Sequence, residues 1–174
     1  MVVVVTRVLL ETVWNDPIII PNGIRLLVTH FILYGIFKYG LPPGPWKVMP
    51  SFTAHQVIVV GLMIYQTMLG FQYYYHHNNK GSSVFDVNEG GIYMAQFCMS
   101  SMMLYDIPVT TFFMKDDGAQ VDMLMHLHHV GFFFIAAIVM GIYSEGVHIG
   151  SEYAPFFFGI IELSSIPLAI VDCK

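Results

Sequence analysis

Apolar residues gather into five long runs, separated by short polar or proline-rich breaks. The runs cover about Ile18 to Tyr39, Ser51 to Phe71, Gly90 to Met114, Met123 to Tyr143 and Pro155 to Val171. Each approaches the roughly 20 residues that a helix needs to cross the hydrocarbon layer. The pattern therefore predicts an all-α, polytopic transmembrane helical bundle of about five spans. Residues 1–17 carry a weaker pattern, because Glu11 and Asp16 interrupt the opening Val run. That stretch is too short for a signal sequence and has no small-residue cleavage site. It is expected to be an N-terminal interfacial segment, followed by one transmembrane domain over 18–172.

The breaks carry their own chemistry. In Leu41-Pro42-Pro43-Gly44-Pro45 no helix can continue, because proline lacks a donor and clashes with the preceding turn. Tyr39 and Trp46 suit a membrane interface. Tyr73 to Gly81 reads as the most polar loop, and Lys115-Asp116-Asp117-Gly118 as a tight connection. Pro50 and Pro155 fall at helix starts, where proline is tolerated.

Composition supports the same class. Of 174 residues, 56% are apolar and only 11% charged, against roughly 25% in an ordinary soluble domain. That is too little charge for a soluble surface and too much hydrophobicity for disorder. A net charge of −5 gives no field for nucleic acid. Cys98 and Cys173 define neither a disulfide framework nor a zinc site. Lysines and arginines divide four to three between the two sides, which barely orients the chain.

The candidate chemistry lies in the polar residues within the runs. These are His30, His55, Asp106, His126, His128, His129 and Glu162, while Arg25 is placed to snorkel to its interface. Consecutive spans run in opposite directions at about 1.5 Å per residue, which puts all seven within roughly 6–14 Å of one surface. They are expected to line a shared polar cavity. Helical spacing puts Asp122, His126 and His129 on one stripe, with His128 turned about 100° from His129. With no second Glu-x-x-His motif, no metal is assigned. Two uses of the histidines stay open: neutral partners bonding across helices, or one base or nucleophile oriented by Asp106. Pro108 frees the Leu104 carbonyl close to Asp106, and Pro167 follows Glu162, Ser164 and Ser165 in a similar arrangement. The methionines read as adaptable packing. His76, His77 and His148 fall in loops and receive no role.

Together these pieces resemble the TLC-domain family, which includes the ceramide synthases and lipid-linked clades without a settled activity. The matching pieces are Ser51-Phe-Thr-Ala-His55, Tyr105-Asp106, a short acidic loop leading to His128-His129, and Glu162-Leu-Ser164-Ser165-Ile-Pro167. They come in the family's order over roughly residues 18–172. The resemblance implies a helical bundle in the endoplasmic reticulum or another endomembrane, with a lipid-accessible cavity. It implies catalytic roles for His128, His129 and Asp106, and a cavity lined by His30, His55, His126, Glu162, Ser164 and Ser165. It implies no resident cofactor, with acyl-CoA as the co-substrate if the chain is a synthase. Two departures favour a non-synthase clade. Glu162-Leu-Ser164-Ser165 stands where synthases carry a His-Asp-based acidic motif, and the chain stops at Lys174, where the family pattern runs through at least one more span.

Three functions follow as expectations. The first is a protein that binds, senses or organises sphingolipid-related membrane lipids. The second is an N-acyltransferase acting on acyl-CoA and a sphingoid base. The third is a non-catalytic accessory subunit of a membrane complex or homo-oligomer.

Overall fold

A computed structural model describes residues 11–77, 85–115, 123–143 and 147–167. Helix α1 spans Ile19–Gly35 and widens into π turns over Ile36–Gly40, where the chain reaches the proline-rich break. Helix α2 spans Pro50–His77, with Pro50 at its start as expected. Helix α3 spans Glu89–Met99 and continues as wide turns over Ser100–Asp106 and Val109–Phe113. Helix α4 spans Met123–Val139. Helix α5 covers only Ala154–Phe158 and leads to a 3₁₀ segment over Ile160–Ser164. The described chain is all-α.

Two helical stretches, Ile19–Gly40 and Pro50–His76, are long and apolar enough to cross a membrane. Only 17% and 33% of their most apolar windows are buried, so neither is the wrapped core helix of a soluble domain. Ile24, Val28 and Ile32 face outward from α1, and Val57, Ile64 and Met68 from α2. The apolar helices over His126–Val139 and Ala154–Pro167 are shorter.

Each boundary that departs from the sequence expectation has a local reason. The α2 helix runs through Tyr73-Tyr74-Tyr75 instead of ending at Phe71. Phe71 and Tyr75, one turn apart, stack with ring centroids 6.1 Å apart, and no proline intervenes. Helix α4 stops at Val139, short of Tyr143, because Gly141 adopts φ 72°, the left-handed conformation that closes helix ends. His148 Nδ1 then lies 3.1 Å from the Val139 carbonyl, donating to an oxygen that the helix end leaves open. His148 thus has a structural role that its loop position did not suggest. The fifth run is broken at Gly159 rather than continuous.

That break reflects close packing. A Cβ at Gly159 would stand 2.6 Å from Gly70 Cα and 2.8 Å from the Gln66 carbonyl, so α2 and the chain after α5 meet backbone to backbone. Thr67 adds a 3.4 Å hydrogen bond from Oγ1 to the Gly159 carbonyl. Helix α1 packs against α2 and the widened part of α3, and the regular part of α3 packs against α4 and α5. One apolar cluster joins Ile19, Met94, Cys98, Ala137 and Phe158. A second joins Ile58, Tyr105, Val109 and Met114.

The start of α1 is tied by Asp16. Its Oδ1 accepts from the backbone N–H groups of Ile18 and Ile19 at 2.8 and 2.9 Å, and its Oδ2 accepts from Gln96 Nε2 at 2.8 Å. The acid that interrupts the N-terminal apolar run therefore caps a helix and pins it to α3.

Replacing Gly159 by valine forces atoms into backbone on both sides, and overpacking of this kind costs about 1–3 kcal/mol. The variant is expected to melt several degrees below the parent in detergent, followed by circular dichroism. An unchanged melt overturns the close crossing.

Candidate functional site

The site is built on the widened part of α3. Pro108 cannot donate to the Leu104 carbonyl, and the helix responds by bonding five residues back: Ile107 N–H donates to the Met102 carbonyl, and Met114 N–H to that of Val109. Hydroxyls take up other carbonyls along the same stretch. Ser100 and Ser101 donate to the carbonyls of Phe97 and Cys98 at 2.8 and 3.1 Å, and Thr110 donates to that of Asp106 at 2.8 Å. The expected proline distortion is present, as a widening of the helix. It leaves two consecutive residues, Tyr105 and Asp106, buried toward different neighbours.

Asp106 joins three helices. His55 Nε2 of α2 donates to its Oδ1 at 2.5 Å. His129 Nδ1 of α4 lies 2.7 Å from its Oδ2, a close ionic contact outside ideal hydrogen-bond direction. All three side chains are largely buried. A nitrogen that gives its hydrogen to the carboxylate leaves the other ring nitrogen of a neutral imidazole as an acceptor. In His55 that acceptor, Nδ1, is buried and has no hydrogen-bond partner. His129 turns its other nitrogen, Nε2, away from Asp106.

A second buried set adjoins the first. His30 of α1 places Nε2 at 3.1 Å from Ser51 Oγ and Nδ1 at 3.3 Å from Tyr105 Oη. A neutral imidazole has one donor and one acceptor, so one hydroxyl gives and the other receives. The Tyr105 ring stacks on that of His55, with centroids 5.9 Å apart and planes 19° apart. His30 lies within electrostatic reach of His55, so the two sets form one polar region spread over four helices.

The remaining expected residues divide. Glu162 is buried on the 3₁₀ segment, takes a hydrogen bond from Ser165, and lies within electrostatic reach of His128 and His129. Ser164 is exposed and donates to the Ile161 carbonyl at 2.8 Å. His128 is exposed, and its ring packs on Phe132 with centroids 4.5 Å apart; of the adjacent pair, His129 alone meets Asp106. His126 stands one turn away, with Nε2 at 3.1 and 3.2 Å from the hydroxyls of Thr110 and Thr111. Asp122 lies outside the described residues.

Sequence reasoning passed over Ser51, Tyr105, Thr110 and Thr111 as site residues. Ser51 and Tyr105 lie inside quoted motifs, and their hydroxyls four residues before His55 and one before Asp106 were the available signal. Thr110 and Thr111 follow the Pro108 distortion directly, where freed carbonyls need donors.

Chemically, the arrangement holds one carboxylate between two imidazoles and leaves the Nδ1 of His55 buried without a hydrogen-bond partner. Among the described residues, no group of three His, Cys, Asp or Glu side chains is arranged to hold a metal ion. Comparison of the chain with family models, curated proteins and solved structures finds no match.

Asp106→Ala strands the buried His55 Nε2 donor, at about 1–3 kcal/mol, and removes the carboxylate on which His129 Nδ1 rests. A double-mutant cycle with His129→Ala, read from melting in detergent, is expected to be strongly non-additive. Additive losses overturn the pairing.

Proposed function

We propose that this chain is an integral membrane protein of the TLC-domain type. Its helices cross an endomembrane, such as that of the endoplasmic reticulum, about five times, and it binds, senses or organises sphingolipid-related lipids. One observation carries the reading: Asp106 is buried among outwardly apolar helices and held by His55 and His129 from two other helices. Ionisable groups at such depth are costly and generally serve a ligand or proton path. Sphingolipid headgroups carry hydroxyl and amide donors, and the buried acceptor on His55 Nδ1 suits donors of that kind. Ser51, His30 and Tyr105 extend the polar surface that a headgroup would meet. Glu162 adds a buried carboxyl within electrostatic reach of His129.

The placement of His129 favours a second reading, a ceramide-synthase-like N-acyltransferase. Its Nδ1 rests on Asp106, which fixes the orientation of the ring and turns Nε2 away from the carboxylate. In that reading Nε2 takes the proton of a sphingoid amine as the nitrogen attacks the acyl-CoA thioester. The amide C–N bond forms as the thioester C–S bond breaks, and the imidazolium returns its proton to the departing thiolate, which leaves as CoA. Glu162 then stands within reach of the imidazolium that forms.

The two readings part in one experiment. The full chain and its His129→Gln variant are expressed in cells whose lipids are followed by mass spectrometry, and each protein is purified with its bound lipid. Lipid handling predicts co-purified sphingolipid, reduced about tenfold or more in Asp106→Asn, with cellular ceramide unchanged by any variant. Acyl transfer predicts ceramide that rises with the parent chain and not with His129→Gln. Preparations free of sphingolipid, from cells with unaltered ceramide, overturn both.

A further inference from the structure

Ser51, His30 and Tyr105 are joined in a line that does not pass through Asp106. Ser51 Oγ stands 3.1 Å from His30 Nε2, and His30 Nδ1 stands 3.3 Å from Tyr105 Oη. The three come from α2, α1 and the widened part of α3, and all are buried. A hydroxyl on one imidazole nitrogen, with the other nitrogen held by a third group, is the arrangement that activates a serine. Here a phenol takes the place of the third group. With Nδ1–H given to Tyr105 Oη, Nε2 faces Ser51 as a base. Ser51 also lies in the first turn of α2, where the partial positive charge of the helix end favours an oxyanion.

The His30 ring is close to the outside. The exposed rings of Phe31 and Phe113 have centroids 5.8 and 6.4 Å from it, and they meet each other edge to face at 5.1 Å. One layer of phenyl rings thus stands between the imidazole and the surroundings of the bundle. Such a cover admits an apolar chain and opposes a charged headgroup. His30 lies about 15 Å along the helix from Gly40, so the line is set well inside the apolar stretch of α1. An acyl ester meets both conditions, because its chain is apolar and its carbonyl is neutral.

We propose that Ser51 and His30 are the nucleophile and base of an ester-cleaving site for acyl lipids, with Tyr105 positioning the base. The choice of lipid rests on the membrane-spanning reading above, and the site is independent of lipid handling at Asp106. Ser51 Oγ attacks the ester carbonyl carbon as its proton passes to His30 Nε2. The bond from that carbon to the lipid alcohol breaks, and the imidazolium protonates the departing oxygen. Water then attacks the acyl-serine and gives a proton to Nε2. The fatty acid leaves as that proton returns to Ser51 Oγ.

The test uses the full chain in vesicles of ether-linked phosphatidylcholine, which hold no ester. The probe is a dodecyl fluorophosphonate, whose phosphorus takes the serine oxygen as fluoride leaves. Labelling mapped to Ser51 by mass spectrometry is expected, slowed about a hundredfold in His30→Gln. Tyr105→Phe should lower the maximal labelling rate several-fold and leave the half-saturating probe concentration unchanged, as positioning requires. Phe113→Ala thins the cover and should speed labelling; an unchanged rate overturns that route of entry. A folded parent chain without label on Ser51 overturns the nucleophile, whatever the variants do. Equal labelling of the parent and a folded His30→Gln overturns the base, and Tyr105→Phe serves in its place if His30→Gln does not fold. Diacylglycerol added to the vesicles should release fatty acid in the parent and not in Ser51→Ala. Cleavage of water-soluble nitrophenyl acetate without cleavage of diacylglycerol overturns the lipid assignment alone.

Discussion

A carboxylate enclosed by apolar helices must be answered by donors, and Asp106 is answered from two helices other than its own. This requirement orders the surrounding structure. Helix α2 must present His55, α4 must present His129, and α3 must lie between them. The apolar contacts of Ile58, Val109 and Met114 permit many rotations of one helix on another, because dispersion has little directional preference. The ionic contacts permit far fewer. The polar region thus contributes specificity of arrangement, while burial of side chains such as Met94, Cys98 and Phe158 contributes the bulk of the cohesion.

The widening of α3 makes this possible. An unbroken α-helix turns consecutive side chains about 100° apart. Around Pro108 the chain exchanges some regular bonds for wider ones and for bonds from Ser100, Ser101 and Thr110. Tyr105 can then meet His30 and His55 while Asp106 meets His55 and His129. Thr110 has a double position here, since its hydroxyl gives to the Asp106 carbonyl and lies against His126. The backbone distortion and the polar region are consequently one construction.

Much of this was legible in the residues. Proline at positions 50 and 108, and the apolar runs around them, located the start of α2 and the distorted part of α3. Helical geometry separated His128 from His129, although the choice of His129 depends on the rotation of α4 against α3, a tertiary quantity. The same limit hid the pairing of His30 with Ser51, two residues on different helices joined through a proline-rich break. Asp16 looked like an interruption because an acid is costly inside an apolar run, yet Asp-Pro before a helix is also a capping signal. The break at Gly159 was invisible because its cause is the Gly70 backbone, 89 positions earlier. His148 was set aside because its partner, the Val139 carbonyl, becomes available only once Gly141 has ended α4.

The wide turns of Ser100–Asp106 have a consequence for how the chain tolerates change in length. A five-back turn stores one residue more than the four-back turn it replaces. The segment therefore contains slack, in the sense of a rope with a spare loop. If one position ahead of Tyr105 is lost, the loop tightens into an ordinary helical turn, and Tyr105, Asp106 and all that follows keep their direction. The same loss within α2 has no such remedy, because its regular turns hold no surplus between His55 and Gly70. Length variation in this protein should accordingly be accommodated just ahead of its most constrained carboxylate.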